Sequence, residues 1–173
     1  YRACSFATLD PSSDQEAFEI CRLYGQTGHY QGKLGLLLMG PPGNGKTSLA
    51  VAILGQALAR EQAPESLRFW NVPTGMYELR YGRLHPDHAA RHVLALTTHD
   101  LLVLDDLGKY HATPWVMEQL YLLLNEIWET DKRVIITTNL PAAALVQLLD
   151  PCLVSRILGM CYEVPLSGPD RRN

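Results

Sequence analysis

Five short apolar stretches punctuate the chain: Leu34 to Met39, Leu67 to Val72, Leu101 to Leu104, Arg133 to Thr138 and Met160 to Val164. The central ones are almost unbroken by polar residues, which is the pattern of a strand covered on both faces rather than one with a wet side. Between them the apolar positions change period. Ala17, Ile20, Cys21 and Tyr24 recur at helical spacing, as do Leu49, Ala50, Ile53, Leu54, Ala57 and Leu58. Ser13 with Glu16 reads as a capping box for the first helix, which is expected to end near Gly25. Pro73 and Thr74 open a short helix with Met76, Tyr77 and Leu79. Thr113 and Pro114 supply an N-cap and a first-turn proline to a long helix carrying Trp115, Leu120, Leu123, Leu124, Ile127 and Trp128. Pro141 opens another helix, and Leu153 to Leu158 is a short one after the Asp150-Pro151 turn. Tyr81 to His99 is the least regular segment. Phe69, Trp70 and Tyr77 are expected in the core. Strands alternating with helices predict an α/β fold, a parallel sheet with helices on both faces and a ligand at the carboxyl ends of its strands.

Composition refines this only slightly. The chain has 173 residues, 47% of them hydrophobic and 19% charged, which fits one domain with a proper core. The expected division is an arm and first helix over 1–32 and the core over 33–173. A net charge of −3 gives no global basic field for duplex binding, so any nucleic-acid contact is local. No apolar run is long enough for a membrane span and no signal-peptide pattern opens the chain, so a cytoplasmic protein is expected. Cys4, Cys21, Cys152 and Cys161 show no C-x-x-C spacing and read as buried free thiols. The start at Tyr1 rather than methionine raises the expectation of a preceding, partner-binding N-terminal domain.

Chemistry enters with Gly40-Pro41-Pro42-Gly43-Asn44-Gly45-Lys46-Thr47, followed by Ser48. The stretch fits G-x-x-x-x-G-K-[ST], the phosphate-binding P-loop. Glycines let successive N–H groups turn inward around a phosphate, Lys46 brings a point charge to the β- and γ-phosphates, and the Thr47 hydroxyl can ligate Mg²⁺. A strand precedes the loop and a helix follows it, which is the context the motif requires. A nucleoside phosphate, ATP/ADP with Mg²⁺, is the ligand implied.

Leu101-Leu102-Val103-Leu104-Asp105-Asp106 ends a buried strand in two acids, a Walker B arrangement. Asp105 is assigned to the metal, through water, and Asp106 to polarising the attacking water. Asn139 tips the strand Val134 to Thr138. It holds that water if this strand lies between the other two, and otherwise simply begins a turn.

In order and spacing, GPPGNGKT, LLVLDDLG, VIITTN and Val154-Ser155-Arg156-Ile157 resemble the AAA+ ATPases. The resemblance is strongest to the DnaC/DnaI-type bacterial helicase loaders and the related IstB transposition helper, and it covers nearly the whole chain. It implies a P-loop fold of the ASCE type with a five-stranded parallel sheet of order 5-1-4-3-2. It implies that Arg156 is an arginine finger reaching a neighbour's ATP site in a head-to-tail assembly, and that Arg172 or Arg171 stands at the second sensor position. No substantial helical lid follows the fifth strand, so weak intrinsic hydrolysis is expected.

His88 and His92 are four apart, but no H-E-x-x-H accompanies them, so they and His85 read as a polar excursion rather than a metal site. The resemblance places this segment near the inner surface of an assembly, where Arg80, Arg83, Arg91 and Lys109 would meet phosphates of single-stranded DNA. The leading functional reading is an ATPase that loads a replicative helicase and binds single-stranded DNA. A transposition helper on duplex DNA is the second, and a small-molecule P-loop kinase the third.

Overall fold

A computed structural model describes residues 4–12, 14–61, 63–81, 89–109 and 113–170. Five strands, β1 (Gly35–Met39), β2 (Leu67–Asn71), β3 (Leu101–Leu107), β4 (Arg133–Thr138) and β5 (Cys161–Pro165), form one parallel sheet of order β2-β3-β4-β1-β5. Read from the other edge this is 5-1-4-3-2, as the resemblance implies. The helices are α1 (Gln15–Thr27), α2 (Lys46–Glu61), α3 (Val72–Tyr81), α4 (Ala89–Ala95), α5 (Pro114–Glu129), α6 (Ala142–Leu148) and α7 (Pro151–Met160).

The unbroken apolar runs have a simple cause. Alternate residues of each central strand enter different cores. Leu37, Leu102, Leu104, Val134 and Ile136 pack with residues of α3, α4, α5, α6 and α7, whereas Leu36, Leu38, Leu101, Val103 and Ile135 pack with α1 and α2. A polar residue at any of these positions would be buried, because neither face is solvated. Leu36, Leu37, Leu38, Leu102 and Leu104 are all essentially inaccessible, each worth about 1.5–3 kcal/mol of burial.

Several boundaries differ from the sequence expectation. Helix α1 runs on to Thr27 and stops where Gly28 turns left-handed at φ +81°. The capping box rests on Ser13, which lies outside the described residues; the Asp14 carboxylate beside it accepts from the N–H groups of Ser167 and Gly168 instead. Strand β3 continues past Leu104 through both acids to Leu107. Ala89–Ala95, expected to be irregular, is a helix whose Val93 is fully buried. Helix α5 begins as expected, with Thr113 accepting from the Val116 N–H. Tyr77, expected in the core, is 66% exposed, because α3 turns that face away from the sheet; Trp128 is exposed on α5. Burial pushes the Cys21 thiol up to about 12 and the Cys161 thiol up as well, but Cys152 is exposed and Cys4 half-buried. No helix among the described residues is long and apolar enough to cross a membrane.

Candidate functional site

The site forms where β1, β3 and β4 deliver their carboxyl ends. Met39 leads directly into the glycine loop, and α2 starts within it at Lys46. Gly43 has φ +81° and Gly45 φ +97°, conformations that side-chain-bearing residues rarely adopt. The buried Lys46 folds back over the loop, its Nζ donating to the carbonyls of Gly40 and Pro41, each at 2.7 Å, and to Asn44 Oδ1 at 3.0 Å. The Asn44 amide in turn donates to the Leu166 carbonyl, tying the loop to the segment after β5.

A cavity of about 380 Å³ opens above the loop. Its floor is Gly43 to Leu49, and Asp106 and Asn139 stand on one side of it. Leu9, Asp10 and Pro11 of the N-terminal arm, with Asp14 and Phe18, also line it. Sequence reasoning took the arm for an irregular leader and missed these residues; their apolar-acidic mixture carries no motif that would have found them.

Asp105 is held at three points. Thr47 Oγ1 and Thr137 Oγ1 both donate to its Oδ1 at 2.8 Å, and Asn71 Nδ2 donates to its Oδ2 at 3.2 Å. Thr47 and Asp105 thus meet across 58 positions of sequence. Asn71 arrives because β2 pairs with β3 in register, Asn71 opposite Asp105. Asp106 takes φ +60°, a left-handed conformation that costs a non-glycine residue about 1–2 kcal/mol. The β3–β4 register shifts at the same place, between Leu104 and Leu107. The bulge has a purpose, because consecutive residues of a regular strand point to opposite faces. Through it Asp105 faces Thr47 while Asp106 lines the cavity. Lys109, expected among DNA-contacting cations, places its Nζ 3.3 Å from Asp106 Oδ2.

The oxygen pair Thr47 Oγ1 and Asp105 Oδ1 is a donor set of the kind that holds Mg²⁺ beside nucleotide phosphates, with water completing the shell. Among the described residues no other cluster of histidine, cysteine or carboxylate has the form of a metal site.

Arg156 lies outside the cavity, on α7. Its guanidinium carbon sits 5.3 Å from the centre of the Tyr121 ring on α5, and its Nη1 is buried without a hydrogen-bond partner. Donation from its guanidinium to the Tyr121 hydroxyl oxygen holds its pKa above the ordinary arginine value. Sequence reasoning did not find Tyr121, which occupies an unremarked position in an apolar helix. Arg80, on α3, donates to Thr113 Oγ1 and lies over the rings of Tyr81 and Trp115. Arg91 is exposed. Arg83, His85, His88, Arg171 and Arg172 lie outside the described residues.

Comparison with known proteins bears on the family and the fold. Residues 22–172 match the family model of the IstB-like ATP binding protein. The phage-like element PBSX protein XkdC of Bacillus subtilis is 30% identical over 172 residues, covering 93% of this chain. The chain spans 57% of the length of that relative. Among solved structures, the DnaC helicase loader superposes with a TM-score of 0.76 at 25% identity, covering 94% of this chain and 96% of its own. DnaI superposes with a TM-score of 0.80 at 21% identity, covering 98% and 91% respectively, a likeness of fold. A P-loop in its strand–loop–helix setting, paired acids near the carboxyl end of β3 and a family match over most of the sequence converge: the chain belongs to the IstB-like ATP-binding proteins of the AAA+ fold.

Proposed function

We propose that this chain is an AAA+ ATPase that assembles head to tail on ATP and acts as a loader of a replicative helicase on single-stranded DNA. The observation that carries the ATPase reading is that Thr47, Asp106 and Asn139, from α2 and the ends of two strands, line one cavity, with Asp105 bonded to Thr47 behind them. Lys46 and the loop N–H groups hold the β- and γ-phosphates, and Thr47 with Asp105 would hold Mg²⁺, which supplies neutralisation of phosphate charge. Asp106 accepts a proton from the attacking water as its oxygen bonds to the γ-phosphorus and the bond to the ADP oxygen breaks. Asn139 orients that water. Arg156 of a neighbouring subunit stabilises the charge spread over the transferring group, which makes hydrolysis depend on assembly. Arg172 completes the nucleotide-binding set.

The DNA part rests on α3. Tyr77 and Tyr81 are exposed and lie 5.1 Å apart, with the Arg80 guanidinium 5.4 Å from the Tyr81 ring. Exposed rings beside a cation suit unstacked bases and the adjoining phosphates. A second reading, a transposition helper on duplex DNA, draws on the family match itself.

Binding of labelled single-stranded and duplex oligonucleotides separates the two, with a non-hydrolysable ATP analogue, with ADP and without nucleotide. Single-strand binding that requires the ATP analogue, and weakens in Arg156→Ala and Tyr77→Ala, supports the loader. Preference for duplex supports the transposition helper. Binding to neither removes the DNA role and leaves a nucleotide switch.

A further inference from the structure

Within the bulge of β3, two buried hydroxyls replace missing backbone partners. Thr138 Oγ1 donates to the Leu107 carbonyl at 2.7 Å, and Thr137 Oγ1 accepts from the Asp106 N–H at 2.9 Å. Thr137 does more than mend the ladder, because the same oxygen donates to Asp105 Oδ1 at 2.8 Å. One hydroxyl, fully shielded from solvent, therefore touches both acids, one through its carboxylate and the other through its backbone. The other side-chain bonds to the Asp105 carboxylate, from Thr47 and Asn71, involve Asp105 alone. Among the described residues, Thr137 is the side chain that hydrogen-bonds to both acids.

We propose that Thr137 is the positioning residue for the acid pair. Its bond to the Asp106 N–H holds that residue at φ +60°, and so points the Asp106 carboxylate into the cavity; its bond to Asp105 fixes the oxygen that Thr47 shares. The inference rests on the ATPase reading above and assigns a role to a residue outside the cavity lining. Serine at this position keeps both bonds. Valine keeps the volume and loses both, stranding a buried N–H.

The test compares steady-state ATP hydrolysis and fluorescent ATP-analogue binding for wild type, Thr137→Val, Thr137→Ser and Thr97→Val. Thr97 is a buried threonine that bonds the Leu94 carbonyl away from the site, and serves as the control for hydroxyl loss in the core. Thr137→Val is expected to lower kcat by about tenfold or more while the dissociation constant of the analogue stays within about threefold, and Thr137→Ser to recover kcat to within about threefold. Thr97→Val keeps the wild-type rate. If Thr137→Val does not fold, Thr137→Cys, which weakens both bonds at similar volume, takes its place with the same thresholds. A Thr137→Val rate within about twofold of wild type overturns the inference, as does a serine variant no faster than the valine one, or an equal loss in Thr97→Val. A wild-type chain that binds ATP but never hydrolyses it overturns the ATPase reading beneath, and the wild-type rate tells the two failures apart.

Discussion

The carboxylate of Asp170 presses on the backbone of Gly43: a Cβ built on that glycine would lie 1.8 Å from Asp170 Oδ1 and 2.0 Å from its Cγ. Gly43 is therefore excluded from bearing a side chain twice over, by its φ of +81° and by its neighbour. Gly43→Ala is expected to lower stability by roughly 2–3 kcal/mol and to weaken ATP binding. Asp170→Ala relieves the collision alone. The double variant should regain about half of the loss, read by thermal melts and nucleotide titration in a double-mutant cycle. Additivity of the two substitutions would deny the contact.

Lys46 and Asp105 separate binding from chemistry. Lys46→Ala should weaken ATP-analogue binding by about tenfold or more, because the loop loses its one buried cation. Asp105→Asn should leave binding within about threefold and reduce hydrolysis by about a hundredfold, with a higher Mg²⁺ requirement. Nucleotide titrations at several Mg²⁺ concentrations decide between the two outcomes.

Arg156 rests on Tyr121, away from the cavity of its own chain. Arg156→Ala should leave ATP binding unchanged and lower hydrolysis by about a hundredfold or more. Mixing Arg156→Ala with Asp106→Asn subunits should restore part of the rate, since each supplies what the other lacks across a shared interface. A mixture no faster than its components would place the arginine outside catalysis.

The pH dependence of stability should carry the mark of Glu61. A hydrogen bond from Arg133, aided by Arg60, holds its carboxyl down to about 2. A depressed carboxylate stabilises the fold above its unfolded value and loses that contribution as pH falls. The loss should run from about pH 4.5 down to about pH 2. With partial solvent screening, Glu61→Gln should cost roughly 1–2 kcal/mol at neutral pH and converge on wild type in acid, followed by denaturant melts across pH.

The parts legible in the sequence were those where one local pattern decides the outcome. The glycine loop states its own geometry, and Arg133 to Thr138 is a strand at the expected boundaries because both its faces are covered. Tyr77 was misjudged because an aromatic in a short helix says nothing about which way the helix turns, a matter settled by packing of Val72, Met76 and Leu79. The bulge at Asp106 was invisible, since a run of apolar residues ending in two acids reads as a regular strand end. Its makers, Thr137 and Thr138, sit on another strand 31 positions away. Asn71 needed the pairing of β2 with β3 before its neighbour was known.

The cavity floor comes from residues 43–49, but its rim draws on Leu9, Asp14 and Leu166, which are far apart in the sequence. Asp14 accepts from Ser167 and Gly168 across 153 and 154 positions, and Asn44 reaches to Leu166. During synthesis the P-loop, its helix and the paired acids therefore emerge well before the rim can close. A chain stopped before Leu166 would carry the glycine loop and both acids without the contacts that Asn44 and Asp14 make to Leu166, Ser167 and Gly168.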